Sequence, residues 1–394
     1  RKNSTSSLKC VRKKVDTSTF IVAIAFQSAN AEEIRHLKTP LLEQSNIGKK
    51  IVCLRPVRKK SPRISLVKSS DKIIVHNYGH GGAGWSLSYG SAKHTVDKLI
   101  KEFPDINRSQ EIAIVGAGCM GLLTAYCLIE EGFTNIIIYA ESFKNLTSHH
   151  AGGLLSFRAT YNDPKLNTFI TMLAVDTYNF YKGIALKKNK DFIGGAKLIP
   201  TYFEDQQTSE LEAFVGKGMQ PAKQVLAKFG KGISHTMIVY DDSIFIDTGK
   251  MMDALHKKLS NKITMHTRKI TCLRELPEKF IFNCTGLGSQ TLQGDDSLQP
   301  ITGHLLMLKN QKDRDLNYML IVDFPAQSDD KKGIVRTLDF FPKRLPSTDK
   351  EDVGVLGGTF FKHSGVIESH EKEFDFIIER AKNFFYGIEP NAKT

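Results

Sequence analysis

Gly116-Ala-Gly118-Cys-Met-Gly121 has G-x-G-x-x-G spacing, and its surroundings give that spacing a chemical purpose. It follows a β-branched run, Ile112–Val115, and opens an apolar stretch to Glu130 that reads as a helix. Asn135–Tyr139 is a second strand, and Glu141 follows it, 20 residues beyond Gly121. The pattern is a dinucleotide-binding βαβ unit. The first glycine permits the tight turn, the second lets the backbone approach a pyrophosphate, and the third lets helix and strand pack closely. The helix N-terminus offers unpaired N–H groups and the positive end of its dipole to the phosphates. Glu141 can accept from a ribose diol, which favours FAD or NAD over NADP. His76 and His80 are four apart, but on a glycine-rich loop rather than a helix, and no cysteine pair has C-x-x-C spacing. No metal site is expected. His76, His80, His149 and His150 read as packing or loop residues without a catalytic role.

The elements that must position these residues are legible in outline. Residues 49–68 are basic, with Pro56 and Pro62 arguing for an extended course. Lys72–Val75 reads as a short strand leading into His76-Asn-Tyr-Gly-His-Gly-Gly-Ala-Gly-Trp85. Ser91–Phe103 has helical spacing, with Val96, Leu99 and Ile100 on one face. Phe280–Asn283, Thr302–Lys309 and Val353–Phe361 read as strands, and Phe374–Phe385 as a closing helix.

Composition narrows the class. The 394 residues carry a formal net charge of +13 and 41% hydrophobic residues. Residues 1–70 hold 16 Lys/Arg against 4 Asp/Glu, and the remainder holds 39 against 38. The excess is therefore local, which argues against a nucleic-acid partner with a basic stripe over a folded domain. No apolar run approaches the roughly 18 residues that span a bilayer, so stable membrane insertion is not expected. Six cysteines without a framework favour a reducing, cytoplasmic setting. The alternative is export: a basic stretch (Arg12, Lys13, Lys14), the apolar run Phe20–Phe26 and Ala29-Asn-Ala31 resemble a short secretory signal.

Several scattered segments resemble the D-amino-acid oxidase family of FAD enzymes. Ile137-Ile-Tyr-Ala-Glu-Ser-Phe143, Thr147-Ser-His-His-Ala-Gly-Gly-Leu154, Arg268-Lys-Ile270, Asn283-Cys-Thr-Gly286 and Leu298-Gln-Pro-Ile-Thr-Gly303 are similar to its cofactor segments and the stretch after them. Leu54-Arg-Pro-Val-Arg58 resembles the segment whose first arginine holds the substrate carboxylate. Val75–Trp85 resembles the signature that wraps the flavin. The resemblance implies an α/β protein with an FAD-binding Rossmann-like domain and a second substrate domain on a mixed or antiparallel sheet. It implies FAD contacts from Gly116, Gly118, Met120, Gly121, Glu141, Ser142, Thr147, Ser148, Gly153, Leu154, Ile270, Thr285, Gly286, Gly81, Gly82, Ala83, Gly84, Trp85 and Ser86. Arg55 is expected to grip the substrate carboxylate, and the Gly82 carbonyl to accept from the substrate amine.

Two departures follow. The arginine segment and the flavin signature lie at the C-terminal end in the family and precede the fingerprint here. A circular permutation joined at residues 104–110 is the expectation, with a swap of residues 49–103 between copies as the alternative. The family's pocket tyrosines are replaced by Val335 and Asp339, and Tyr318 lies upstream. Asp339 is a further candidate catalytic residue that can pair with an amine or a basic side chain. The expected map is a tail or targeting segment at 1–48, an FAD-binding part at 49–160, 263–300 and 353–394, and a substrate part at 161–262 and 301–352. The expected activity is oxidation of a carbon–nitrogen bond in an amino acid or related amine, with hydride passing to flavin and dioxygen yielding peroxide. The alternatives are a dehydrogenase using another acceptor and a flavin-binding protein without activity. Homodimerisation is left open.

Overall fold

The structure, a computed structural model, describes residues 33–69, 71–157, 161–204, 210–311, 315–325, 328, 333–344, 353–362 and 370–389. The chain divides into residues 1–33 and one compact unit of residues 34–394. The basic–apolar stretch at 12–31 lies outside the described residues. In chain order the elements are β1 (Glu33–His36), β2 (Ile47–Arg58), β3 (Arg63–Lys68), β4 (Ile73–Tyr78), α1 (Gly84–Glu102), β5 (Ile112–Val115), α2 (Cys119–Glu130), β6 (Ile136–Ala140), α3 (Thr147–His150), α4 (Pro164–Ala185), β7 (Ala196–Phe203), β8 (Lys223–Lys228), β9 (Ser234–Ile246), α5 (Thr248–Leu259), β10 (Thr264–Thr267), β11 (Phe280–Asn283), α6 (Ser289–Gln293), β12 (Leu298–Leu308), β13 (Met319–Asp323), β14 (Ile334–Phe341), β15 (Val355–Lys362) and α7 (His370–Tyr386).

A six-stranded sheet runs β10-β6-β5-β11-β4-β3, parallel from β10 to β4, with β3 antiparallel at the edge. All four residues of β5 and of β11 are buried, as expected of central parallel strands covered on both faces. α2 is buried over Cys119–Leu128 because it packs between this sheet and α1 and α5. One apolar cluster, from Val75, Val96, Ile114, Leu123 and Phe282 out to Tyr178 on α4, fills the helical side. A smaller one, with Ile74, Ala113, Leu273 and Ile281, fills the other.

α1 begins at Gly84, a full two turns before the apolar spacing at Ser91. Its first turns look polar in sequence but are buried. Ser88 Oγ donates to the Trp85 carbonyl at 2.8 Å and meets the Tyr181 hydroxyl at 3.1 Å, so its polarity is satisfied internally. Elsewhere the ends follow local chemistry. Asp163 caps α4 by accepting from the Lys165 amide at 2.9 Å, with Pro164 at the first helical position. Asp247 caps α5 through the Lys250 amide at 3.3 Å.

A nine-stranded sheet runs β1-β8-β9-β7-β13-β14-β15-β12-β2. From β8 to β2 it is antiparallel apart from the β13–β7 pair. One face carries Leu306, Leu338, Phe340 and Leu356 under Phe374, Ile377 and Phe385 of α7. The opposite face carries Ile51, Leu305, Met307, Phe341 and Val355, which meet Leu154 and Phe245. The expected map grouped residues 49–160 and 353–394 with the FAD-binding part. β2 and β15 instead lie in the nine-stranded sheet, because β2 pairs with β12 from Arg58↔Leu298 to Ile47↔Leu308 and β15 flanks β12 on its other side.

Candidate active site

The carboxyl ends of β6, β5, β11 and β4 lie in a row and present most of the expected cofactor residues. β5 runs into Gly116, which has φ of +109° and whose Cβ, if present, would overlap the Cys284 carbonyl at the end of β11. A Cβ at Gly121 would overlap the Gly116 carbonyl, so strand and helix meet at backbone contact. No side chain of Gly118 caps α2, and the Cys119 amide donates to Ser148 Oγ at 3.0 Å. Met120 is buried in that first turn. At the β6 end, Glu141 is exposed and 3.5 Å from Lys269 Nζ. It lines a cavity of about 440 Å³ with Ser142, Phe143, Lys144, His256, Met265 and Thr267, room for a nucleoside. The Arg268 amide is taken by the Ala140 carbonyl at 2.8 Å, and Ile270 packs against the sheet beside Leu273.

At the β11 end Asn283 Oδ1 accepts from Thr285 Oγ1 at 2.8 Å and from Ser289 Oγ at 3.2 Å. This holds the turn carrying Thr285 and Gly286. Asn283 Nδ2 donates to His76 Nδ1 at 3.3 Å. At the β4 end the glycine signature lies against β2. Gly81 has φ of +61° and a Cβ there would stand 2.8 Å from Val57 Cγ2. Gly82 is open, with Arg55 Cδ 3.8 Å from where its Cβ would be. Ala83 and Gly84 lead into α1, whose start no side chain caps. Trp85 Nε1 donates to the Ser148 carbonyl at 2.9 Å, and the Ser156 amide donates to Ser86 Oγ at 3.2 Å. These bonds tie the signature to the Thr147–Leu154 segment. The Gly153 carbonyl in turn accepts from the Ile246 amide at 2.7 Å, and Leu154 bridges Phe245.

The arrangement fits FAD. Two helix N-termini, at Cys119 and Gly84, leave the same edge of one sheet. The cavity beside Glu141 stands at one end of that row and the open Gly82 backbone at the other. That spread suits an elongated dinucleotide with an anionic centre.

A second group of expected site residues lies on the nine-stranded sheet where the apolar row stops. Arg55 on β2 is largely buried, and its guanidinium lies over Gly303 of β12, where a Cβ would overlap Nη1. Nη1 donates to the Thr359 carbonyl of β15 at 3.3 Å, and the group sits 4.2 Å from the Phe360 ring centroid. That is its one hydrogen bond among the described residues, and no described carboxylate is within ion-pair distance. Burial lowers its pKa, with Asp339 opposing the shift. On β14, Asp339 accepts from Thr337 Oγ1 at 2.7 Å and faces Gly357 of β15, whose Cβ would be 3.9 Å from its own. Burial pushes its carboxyl up to about 6, against the Thr337 bond and the Arg55 charge. Val335 is half-buried beside Phe360. Tyr318 is buried on the α7 side, its hydroxyl donating to the Lys38 carbonyl at 2.8 Å, so it stands apart from this group.

Sequence reasoning missed Lys343. It is buried, donates to the carbonyls of His149 and Ala151 (2.9 Å for the latter) and to Thr248 Oγ1 at 2.5 Å, and is pushed down to about 8 by burial. A lone lysine after Phe-Phe-Pro gives no sequence signal for that role. Among the described residues no group of three or more His, Cys, Asp or Glu is placed to hold a metal ion, and no helix is long and apolar enough to cross a membrane.

The buried histidines have a consequence for stability. His76 is buried against Asn283 with the Arg63 charge nearby, and His80 Nε2 meets Ser91 Oγ at 3.1 Å. Burial holds both down to about 3. Their folded pKa lies below the unfolded 6.5, so the unfolded chain binds more protons between those values. Stability is fully present above pH 6.5 and is lost as pH falls towards 3. The thermal midpoint is expected to drop by on the order of 5 °C from pH 7 to 5, and His80→Asn to flatten that slope. A calorimetric midpoint independent of pH over that range would contradict this.

A model of the DAO family, described as FAD dependent oxidoreductase, matches residues 111–393. D-amino-acid oxidase from Dictyostelium discoideum is 24% identical over 284 residues, 70% of this chain and 72% of that protein. D-aspartate oxidase from Homo sapiens is 28% identical over 208 residues, half of this chain and 59% of that protein. Glycine oxidase from Bacillus cereus is similar in structure, with a TM-score of 0.49, 13% identity and coverage of 70% of this chain and 77% of that one.

Proposed function

The chain belongs to the DAO family of FAD-dependent oxidoreductases, and from that premise we propose that it oxidises the carbon–nitrogen bond of an amino acid, with dioxygen as electron acceptor. The observation that carries this reading is Arg55, a largely buried guanidinium with one carbonyl for a partner, opening beside Gly82. A substrate carboxylate supplies the missing bidentate partner.

The cofactor residues divide by position. Gly116, Gly118, Met120 and Gly121 offer backbone to the pyrophosphate, Glu141 and Ser142 meet the ribose, and Ile270 lies towards the adenine. Thr147, Ser148, Gly153, Leu154, Thr285 and Gly286, with Gly81–Ser86, enclose the flavin end. FAD, when bound, would supply the electron sink for the hydride that leaves the α-carbon as the C–N bond becomes an imine. The chain orients and selects. Arg55 fixes the carboxylate, and the Gly82 carbonyl accepts from the amine. The amine proton leaves to solvent, water hydrolyses the imine to an oxo acid and ammonia, and dioxygen takes the two electrons to give peroxide.

A circular permutation of the family order accounts for the connectivity. β4 and α1 fill the position beside β11 although they precede β5 in the chain. The family match begins at residue 111, after both. The Tyr386 hydroxyl at the end of α7 donates to the Pro40 carbonyl at 2.6 Å, so the helix ends beside the segment entering β2. Residues 104–110 make the join, braced by the Thr134 amide on the Arg108 carbonyl at 2.9 Å.

Peroxide equal to oxo acid formed, in air, is the expected stoichiometry. Oxo acid formed only with a dye acceptor and no peroxide would replace the oxidase by a dehydrogenase.

A further inference from the structure

We propose that Asp339 is a specificity residue that selects substrates with a positively charged side chain and rejects those with a second carboxylate. This rests on the reading of Arg55 as the carboxylate anchor.

Arg55 and Asp339 stand on the same face of the sheet but do not pair. The guanidinium reaches across β12 to the Thr359 carbonyl of β15, and Asp339 stands on β14, the next strand. With strands about 4.8 Å apart, the two charges are separated by roughly 5–10 Å. Glycines let the two groups settle on the sheet: Gly303 lies under the guanidinium, and Gly357 lies beside the carboxylate with the Leu305 side chain over it. Opposite charges that share a face without pairing are what a small ligand bearing both charges would bridge.

Direction decides which positive group goes to Asp339. Arg55 Cδ lies by Gly82, at the flavin end, so the α-amine of an anchored substrate has the Gly82 carbonyl at hand. Asp339 lies on the other side of the guanidinium, where the side chain must extend. The field there is acidic as well, since Asp323 and Glu210 both act on Asp339 in the same sense, raising its pKa. Glu210 is exposed and accepts from Ser156 Oγ at 2.8 Å. A cation at the end of the side chain gains in that field, and a second carboxylate is repelled.

The test is anaerobic flavin reduction by D- and L-forms of lysine, arginine, alanine and aspartate, with the holoenzyme and with Asp339→Asn. A basic amino acid is expected to have the highest second-order rate constant and aspartate the lowest. Asp339→Asn is expected to lower the basic-to-neutral ratio by about tenfold to a hundredfold. Asp339→Glu, which keeps the charge, should retain much of it. Faster reduction by alanine or aspartate, or an unchanged ratio in Asp339→Asn, would overturn the proposal while leaving the oxidase reading intact. Reduction by none of the amino acids would overturn both.

Discussion

Arg55→Met is expected to lower the second-order rate constant for flavin reduction by about a thousandfold while FAD stays bound. Among the described residues the guanidinium makes one hydrogen bond, to the Thr359 carbonyl, and has donors left for a carboxylate. Two charge-assisted hydrogen bonds are each worth about 1.5–3 kcal/mol, so losing both removes roughly 3–6 kcal/mol of transition-state stabilisation. Methionine fills the space over Gly303 and keeps the apolar contact with Phe360, so the loss reports the charge. Because Arg55 is on β2 and lies beside the signature at the open Gly82 rather than within it, the flavin spectrum should be preserved. A near-normal rate in Arg55→Met would remove the carboxylate assignment.

Gly121→Ala is expected to cost the protein its cofactor. The added methyl would overlap the Gly116 carbonyl, backbone against backbone, with no flexible end to move aside. The helix must withdraw from the strand, and the phosphate-facing turn is lost with it. A loss of about 3 kcal/mol corresponds to FAD binding weaker by about a hundredfold. Equilibrium dialysis of FAD against the variant measures it, with circular dichroism recording that the sheet persists. Wild-type affinity in Gly121→Ala would show that the close packing at this glycine does not hold the site.

The contrast between these two positions explains what was legible in the sequence. Gly121 belongs to a local pattern: strand, glycine turn and helix are contiguous, so spacing alone fixes the geometry. The same holds for Glu141, whereas the Gly81–Gly84 signature is legible only through its resemblance to the family's. Arg55 is legible only as part of a motif, because its meaning depends on Gly303 and Thr359, hundreds of residues away and brought near by antiparallel pairing. Sheet membership was misread for the same reason. Residues 47–58 and 355–362 look like any strand, and the β2–β12–β15 ladder that collects them is set by long-range register. Lys343 left no trace at all, since its role is created by three oxygen atoms from two other elements. The first turns of α1 were hidden in the opposite way, their serines being polar in sequence and internally bonded in the fold. The charge of the first seventy residues also changes meaning, for Arg55 and Arg58 are tied into the fold, Arg58 by a 2.8 Å ion pair to Asp295.

The account stands most directly on one measurement, the absorbance of the purified protein mixed anaerobically with amino acids. Bound oxidised flavin is expected to bleach, with oxo acid appearing in equal amount. A protein that carries no flavin, or whose flavin no amino acid reduces, would contradict it.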